Sequence, residues 1–389
     1  MNALIVLPTD ALGGAENVLK MLAVQFCSQP GNTLHLVFMS RGDHGNWADF
    51  GRSARLHFIA ARREITGAAS AALLIARLSR LRAFDIAIAS HTHCNGFLGF
   101  LRRIGLLRTR VLVVRESTLI SQRFVGIKRA LLSLIYRCWY GSIDVIVCQT
   151  PRMREELLSF IPPLRAKRVV VLPNPVDAEA VRGRAAEPET STPTGKYVVA
   201  VGRLVPVKGF DILLRAFATA MKEHPDVSLV IVGEGAQRGA LVDLARTLDI
   251  SDRVILPGHC KNPFPLAKGA IFGVVSSRIE GFPNVVLEML AVGLPVISTR
   301  CADGLDDLPN VTLCRADDVG SLATALAQQY TQCTRARTHA PVSLEERSPR
   351  RFLESLTTFA GLAEGGSAAL VTADYEAESE PQAQRSGLS

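Results

Sequence analysis

Short runs of β-branched and apolar residues alternate with stretches of helical periodicity along this chain, in two successive series. In the first series, residues 3–7, 34–39, 55–59, 86–89, 111–114, 145–148 and 169–172 read as strands, with helical patterns over 15–25, 68–80 and 128–140. In the second, strands are expected at 197–201, 228–232, 254–256, 273–276, 295–298 and 311–313, and helices at 209–222, 236–248, 285–291 and 319–329. Parallel neighbours in one sheet need a long crossover, usually a helix, and that crossover is right-handed. The alternation therefore predicts an α/β chain of two doubly wound, Rossmann-like domains.

The chain's 389 residues are enough for two domains of ordinary size, and 48% hydrophobic against 21% charged residues gives ample core material. Composition marks the join. "LPNPVD" (172–177) is rigid and turn-forming, while "RAAEPETSTPTG" (184–195) has no apolar period and reads as a linker or exposed loop. Domains are expected at 1–175 and 176–346, with the active site in the cleft they face. Phe352, Leu356 and Phe359 share a helical face, so 347–363 are expected to form a C-terminal helix that packs back on the N-terminal domain. The Ser/Glu/Ala-rich tail 364–389 is expected to be disordered.

The net charge of +8 is unevenly spread. Residues 1–175 carry 23 Lys/Arg against 10 Asp/Glu, residues 176–363 carry 20 against 21, and the tail is acidic. A basic N-terminal half suits anionic partners: phosphate-bearing acceptors, an anionic membrane face or nucleic acid. A nucleic-acid reading asks for aromatics interleaved with the cations, and aromatics are only 6% of the chain. The eight cysteines are scattered, with no CxxC pair and no zinc-ligand spacing, as in a protein with reduced thiols. "MNALIVLPTD" runs straight into an apolar strand and lacks the features of a signal peptide. The longest apolar candidate, "ALLSLIYRCWYGSIDVIVC", is broken by Arg137 and Asp144, so no membrane span is expected. These features predict a cytoplasmic protein whose membrane contact is peripheral.

Several motifs fall at the ends of expected strands, where open α/β sheets bind ligands. "GGAE" (13–16) follows the first strand; its glycines admit close backbone approach, and a helix N-terminus favours an anion. In a plainer reading it is a tight turn in which Glu16 complements the helix dipole. In "VGRLVPVKGFDILLRAF" (201–217), Arg203 and Lys208 lie across one loop, a fork and a point charge suited to a diphosphate. "SRIEGFPNVVLEML" (277–290) places Glu280 before a Gly-Phe-Pro-Asn turn and Glu288 on the helix that follows. Pro283 suits a first helical turn, and Glu288 is placed to accept hydrogen bonds from a pair of hydroxyls.

The order "GGAE", "GRLVPVKG", "IVGEGAQRGAL", "EGFPNVVLEMLAVGLPVIST" resembles the retaining nucleotide-sugar glycosyltransferases of family 4 (group 1 type), which have the GT-B fold. The resemblance covers about residues 1–360 and is most specific over 198–299. It implies an N-terminal acceptor-binding domain and a C-terminal nucleotide-sugar-binding domain. It implies that Arg203 and Lys208 hold the donor diphosphate, that Gly14 supplies an amide to it, and that Glu288 holds the ribose. Glu280, with Phe282, Pro283, Asn284 and Val285, then lines the donor sugar. The implied catalytic residues are Arg203, Lys208 and Glu280. No Asp-x-Asp motif stands at a strand end, so no metal and no cofactor are expected; the nucleotide-sugar, by default UDP-linked, is a substrate. The resemblance implies transfer of a hexosyl or N-acetylhexosaminyl group to a saccharide acceptor, either lipid-linked, as on a polyprenyl diphosphate, or another saccharide, in bacterial surface polysaccharide or lipopolysaccharide synthesis. The expected location is the inner face of the plasma membrane, with no nucleic-acid partner.

Two places depart from the family pattern. Many members have a histidine after a central N-domain strand, where this chain has Arg115 and Glu116. They either face the acceptor, with His93 of "SHTHCNG", or form an ordinary surface ion pair. "CADGLDDL" (301–308) replaces a common Gly-Pro-x-Glu, with Asp306 or Asp307 in place of the acid. Cations gather around "LRRIGLLRTR" (101–110) and "SQRFVGIKRALL" (121–132), and the second group opens a basic amphipathic helix suited either to an anionic bilayer or to core packing. Non-hydrolysing UDP-sugar epimerases share the architecture but lack "GRLVPVKG". A catalytically silent GT-B subunit would not need Arg203, Lys208, Glu280 and Glu288 together.

Overall fold

The computed structural model describes residues 1–42, 47–50, 53–61, 63–118, 126–188, 193–335 and 342–362, with backbone only at 126–132 and 335. It divides into two compact units, Met1–Pro175 with the chain from Pro349 onward, and Val176–Ser348.

The first unit holds seven parallel strands: β1 (Asn2–Leu7), β2 (Thr33–Phe38), β3 (Ala54–Phe58), β4 (Phe84–Ala89), β5 (Thr109–Arg115), β6 (Val145–Cys148) and β7 (Arg168–Val171), in the order β3-β2-β1-β4-β5-β6-β7. Every residue of β1 is buried, as expected of a strand covered on both faces. Its helices include α1 (Gly14–Cys27), α2 (Glu64–Leu81), α3 (Thr92–Arg103), α4 (Gly126–Trp139) and α5 (Pro151–Phe160). Thr150 caps α5 by accepting from the Met153 amide at 3.2 Å, with Pro151 filling the first turn.

The second unit has six parallel strands: β8 (Lys196–Val201), β9 (Val227–Val232), β10 (Val254–Gly258), β11 (Gly273–Val275), β12 (Val296–Thr299) and β13 (Val311–Cys314), in the order β10-β9-β8-β11-β12-β13. Around them lie α6 (Ala178–Ala185), α7 (Phe210–Ala220), α8 (Arg238–Thr247), α9 (Phe264–Gly269), α10 (Asn284–Ala291) and α11 (Val319–Arg335). The last helix, α12 (Pro349–Phe359), belongs to the first unit, where Phe352, Leu353, Leu356 and Phe359 join the core formed by Val18, Leu19, Leu22 and Phe26 of α1.

The expected linker at 184–195 is shorter than its composition suggests. Asp177 caps α6 by accepting from the Ala180 amide at 2.9 Å, and the helix runs through Ala185. Arg184 donates to the Lys261 carbonyl at 2.6 Å and stacks over Phe264 at 4.7 Å, so it is part of the second unit's fold. The expectation of a disordered tail at 364–389 lies outside the described residues. All eight cysteines are free thiols, four of them buried (Cys94, Cys148, Cys301 and Cys314).

Candidate active site

In the second sheet the strand order reverses between β8 and β11, which are neighbours although three strands apart in sequence. Loops leaving the carboxyl ends of such a pair diverge to opposite faces and leave a crevice. After β8 come Arg203 and a tight turn at Pro206–Lys208. Gly209 then adopts a left-handed conformation (φ 63°), and a Cβ there would lie 2.1 Å from the Ser276 carbonyl. Only glycine lets this loop lie flush on the one after β11. The loops are then sewn together: the Ser276 hydroxyl donates to the Lys208 carbonyl at 2.9 Å and the Arg278 amide to the Val207 carbonyl at 2.8 Å. The Arg278 guanidinium grips Asp211 in a two-pronged pair at 3.0 and 2.8 Å and reaches Asp317 at 2.9 Å. In "VGEGAQRG", a Cβ on Gly233 (φ 147°) would lie 1.9 Å from the Gly202 carbonyl, so this motif packs the loop after β9 under Arg203.

On this platform Lys208 and Glu280 meet. The Lys208 Nζ lies 2.5 Å from Glu280 Oε1, with the two side chains 20% and 18% exposed. The Ser277 hydroxyl donates to the same oxygen at 2.8 Å, and the Glu280 amide donates to the Cys301 carbonyl at 2.8 Å. Arg203 is exposed, and its guanidinium has no hydrogen-bond or ion-pair partner among the described residues. Glu288, half-buried on α10, has none either; burial raises its carboxyl above the usual range, opposed by Arg184. Asn284 opens α10 after the buried Pro283. Val285 packs on the core, and the Phe282 ring lies inside it beneath the Arg347 guanidinium at 5.3 Å. That ring supports the turn from below; it is not open to a sugar. Asp306 is held at the surface by Arg300 at 2.6 Å, and Asp307 is exposed.

The first sheet reverses between β1 and β4, and polar residues gather there too. Gly14 is exposed at the first turn of α1. Glu16 takes the Gly13 amide at 3.2 Å and His91 Nε2 at 3.1 Å, tying the loop after β1 to the loop after β4. Its role exceeds a dipole partner's, and nothing in the sequence linked it to His91. His93 pairs with Glu64 at 2.7 Å, both partly exposed.

Arg115 and Glu116 are not a surface ion pair. Both are buried, 3% and 2% exposed, and their side chains turn to different partners. Arg115 donates to Ser90 Oγ at 2.8 Å and to Asn174 Oδ1. Burial lowers its pKa to about 10, against the opposing carboxylates of Glu116 and Glu16. Glu116 accepts from the Tyr136 and Tyr140 hydroxyls, each at 2.7 Å, and from Asn95 at 3.3 Å. Burial raises its carboxyl, with the two tyrosine donors pulling the other way. Among the described residues no group of three or more His, Cys, Asp or Glu is placed to hold a metal ion.

Residues 12–180 match the family described as Glycosyltransferase Family 4, and residues 195–332 the one described as Glycosyl transferases group 1. The chain belongs to the family 4, group 1 glycosyltransferases. Within the family it is 31% identical over 209 residues to an uncharacterized glycosyltransferase of Methanocaldococcus jannaschii, covering 52% of this chain and 50% of that one. It is 28% identical over 218 residues to the N-acetylgalactosamine-N,N'-diacetylbacillosaminyl-diphospho-undecaprenol 4-alpha-N-acetylgalactosaminyltransferase of Campylobacter jejuni, covering 54% of this chain and 57% of that one. The chain spans about half the length of the curated relatives it matches. Among solved structures, Anabaena HepE in complex with UDP and glucose aligns with TM-score 0.72 at 15% identity, over 91% of this chain and 98% of that one. A lipopolysaccharide outer core galactosyltransferase in its apo form aligns with TM-score 0.67 at 17% identity, over 92% and 99%. These likenesses are of fold, and the fold is GT-B.

Proposed function

We propose that the protein transfers a hexosyl or N-acetylhexosaminyl group from a nucleotide-sugar, by default UDP-linked, to a saccharide acceptor, with retention of configuration and without a metal ion. The observation that carries this reading is Lys208, held on Glu280 at 2.5 Å beside an exposed Arg203 at the carboxyl ends of β8 and β11. Glycosyl transfer leaves negative charge on the departing diphosphate while positive charge grows on the sugar ring. Lys208, Arg203 and the first amides of α10 supply the compensating positive charge, preorganised by the hydrogen-bonded loops beneath them. Glu280 keeps the Lys208 ammonium in place before the donor arrives and faces the sugar afterwards. Glu288, without a hydrogen-bond or ion-pair partner among the described residues, accepts the ribose hydroxyls.

In the transfer itself the bond from the anomeric carbon to the diphosphate oxygen breaks. The acceptor oxygen bonds to that carbon on the same face. The acceptor's proton passes to the departing phosphate oxygen. The Campylobacter jejuni relative, named for a diphospho-undecaprenol acceptor, supports an acceptor carried on a polyprenyl diphosphate, and a relative named for lipopolysaccharide core biosynthesis supports a place in bacterial surface polysaccharide synthesis; the proposed location is the inner face of the plasma membrane.

A thermal-shift panel of UDP- and GDP-sugars, followed by transfer assays with and without EDTA, tests this reading. One sugar nucleotide should stabilise the protein, and EDTA should leave transfer unchanged. Inhibition by EDTA that manganese reverses would overturn the metal-independent mechanism. Stabilisation by no sugar nucleotide would favour a catalytically silent subunit.

A further inference from the structure

The three most exposed large hydrophobic side chains among the described residues all stand on α2: Ile65 at 89%, Leu81 at 77% and Leu73 at 73%. Leu73, Arg77, Arg80 and Leu81 follow helical i, i+4, i+7 and i+8 spacing, so they share the outward face. The opposite face is committed to the fold through Gly67, Ala71, Ile75, Ala76 and Ser79. A Cβ on Gly67 would lie 1.9 Å from the Met39 carbonyl, so the helix sits flush on the loop after β2 and cannot roll its leucines inward. Arg63, Arg77, Arg80 and Arg82 are exposed, and none is in an ion pair among the described residues. The helix's one acid, Glu64, is engaged by His93 at 2.7 Å. The surface continues past Arg82: the Phe84 amide donates to the Arg108 carbonyl at 3.0 Å, bringing an exposed Arg108 beside it.

We propose that this face of α2 docks on an anionic lipid bilayer, with its leucines at the boundary of headgroups and acyl chains and its guanidiniums on lipid phosphates. Bare aliphatic side chains among uncompensated cations suit a surface that is apolar within and negative outside. A second copy of this chain fits poorly, because a symmetric pairing through this helix would set arginines against arginines. The inference rests on the peripheral-membrane part of the proposed function and not on its donor chemistry. It also moves the contact from where the sequence suggested it. Arg123 of the expected basic helix, and the side chains of Lys128 and Arg129, lie outside the described residues. Within the other cluster, Arg102 pairs with Asp144, Arg103 donates to the Cys138 carbonyl at 2.7 Å and Arg110 to the Gly361 carbonyl at 3.4 Å, which leaves Arg108 for the surface.

The test is co-sedimentation of the full chain with vesicles of phosphatidylcholine alone or mixed with phosphatidylglycerol. Wild type should sediment with the mixed vesicles, less so at high salt, and scarcely with the neutral ones. The double variant Arg77→Gln/Arg80→Gln should lower partitioning about thirty-fold, at roughly five-fold per arginine, and Arg77→Lys/Arg80→Lys should restore it. Leu73→Gln/Leu81→Gln should weaken binding at every salt concentration. All variants should keep wild-type melting temperature and nucleotide-sugar stabilisation. If wild type binds anionic vesicles and the α2 variants bind equally well, the assignment to α2 is wrong while the membrane reading stands. If wild type binds no vesicle, the peripheral-membrane reading fails as well. A concentration-dependent dimer that Leu73→Gln abolishes would also overturn the proposal, in favour of a second copy.

Discussion

The two sheets reverse their strand order at corresponding places, β1 against β4 and β8 against β11, and each gathers charged side chains there. In the first unit most of those residues are paired within the fold. Arg115 donates through its two terminal nitrogens to Ser90 and Asn174, leaving its buried Nε without a partner among the described residues, while Glu116 takes two tyrosine hydroxyls and an asparagine amide, all out of water. In the second unit Arg203 and Glu288 have no partner among the described residues, and the Lys208–Glu280 pair is about a fifth exposed. Glu116 and Glu288 show the contrast best. Burial raises both carboxyls, yet one is surrounded by donors and the other has none. A buried polar group whose partners are all supplied by the fold is a structural element. A carboxylate that the fold leaves unpartnered is destabilising until a ligand partners it, and Glu288 is the ground on which the proposed donor site is put in the second unit's crevice.

The largest test of this contrast is Lys208→Ala. Removing a preorganised donor to developing charge should lower kcat for transfer by about 10²–10³, read with a water-soluble acceptor at saturating donor. The melting temperature should move little, because the lost pair is partly exposed and Ser277 still donates to Glu280 at 2.8 Å. A variant that transfers at wild-type rate would remove Lys208 from the mechanism.

Glu116→Ala should do the reverse, costing stability before anything else. It takes away the carboxylate that accepts from the buried Tyr136 and Tyr140 hydroxyls at 2.7 Å, leaving them only each other and, for Tyr136, Thr92. At roughly 1–3 kcal/mol for each such group, the expected loss is about 3 kcal/mol, measured by urea unfolding. Tyr136→Phe, which removes one donor and keeps the acceptor's other partners, should cost about 1 kcal/mol.

Glu288→Gln should have the opposite sign to Glu116→Ala. Neutralising an unpartnered, half-buried carboxylate should raise the stability of the free protein by up to about 1 kcal/mol, while nucleotide-sugar affinity falls about tenfold with loss of the charged acceptor. A carboxyl raised on folding above its ordinary 4.5 makes the folded state the better proton binder, so stability falls as pH rises through the raised pKa. The gain from Glu288→Gln should therefore be present at neutral pH and vanish below about 4.5, where wild-type Glu288 is protonated in both states.

The strands and the strand-end motifs were legible because burial on both faces writes a strand as an unbroken apolar run, and because glycine and proline punctuate the turns. Helix α3 has no clear apolar period, because its sequence, "THCNGFLGFLRR", mixes small and polar residues. Gly96 and Gly99 are what admit α4: a Cβ on Gly96 would lie 2.7 Å from Ile135 Cγ2, and one on Gly99 would lie 2.4 Å from the Trp139 carbonyl. Partners set by tertiary structure left no local trace. Lys208 and Glu280 are 72 residues apart, and Arg278 and Asp211 are 67 apart. The residue types at the crevice were readable; the closure of the Arg115–Glu116 network was not, since its tyrosines come from the far end of α4 and the turn beyond it.

Glu16 gives the smallest and most discriminating test, because its carboxylate ties the loop after β1 to the loop after β4 through His91 at 3.1 Å. Its burial acts to raise the carboxyl, but the hydrogen bond and charge of His91 and the Gly13 amide outweigh that, so the net shift is downward from 4.5. A carboxylate depressed on folding adds stability that is fully present above its unfolded pKa and is lost as pH falls through the folded one. Glu16→Gln should therefore destabilise the protein by about 1 kcal/mol at neutral pH, and the deficit should shrink to nothing once pH drops below the depressed pKa. Urea midpoints of wild type and variant across that range read the effect directly. A deficit that persists unchanged into acid would mean that Glu16 acts by packing alone and not as a charged tie between the loops after β1 and β4.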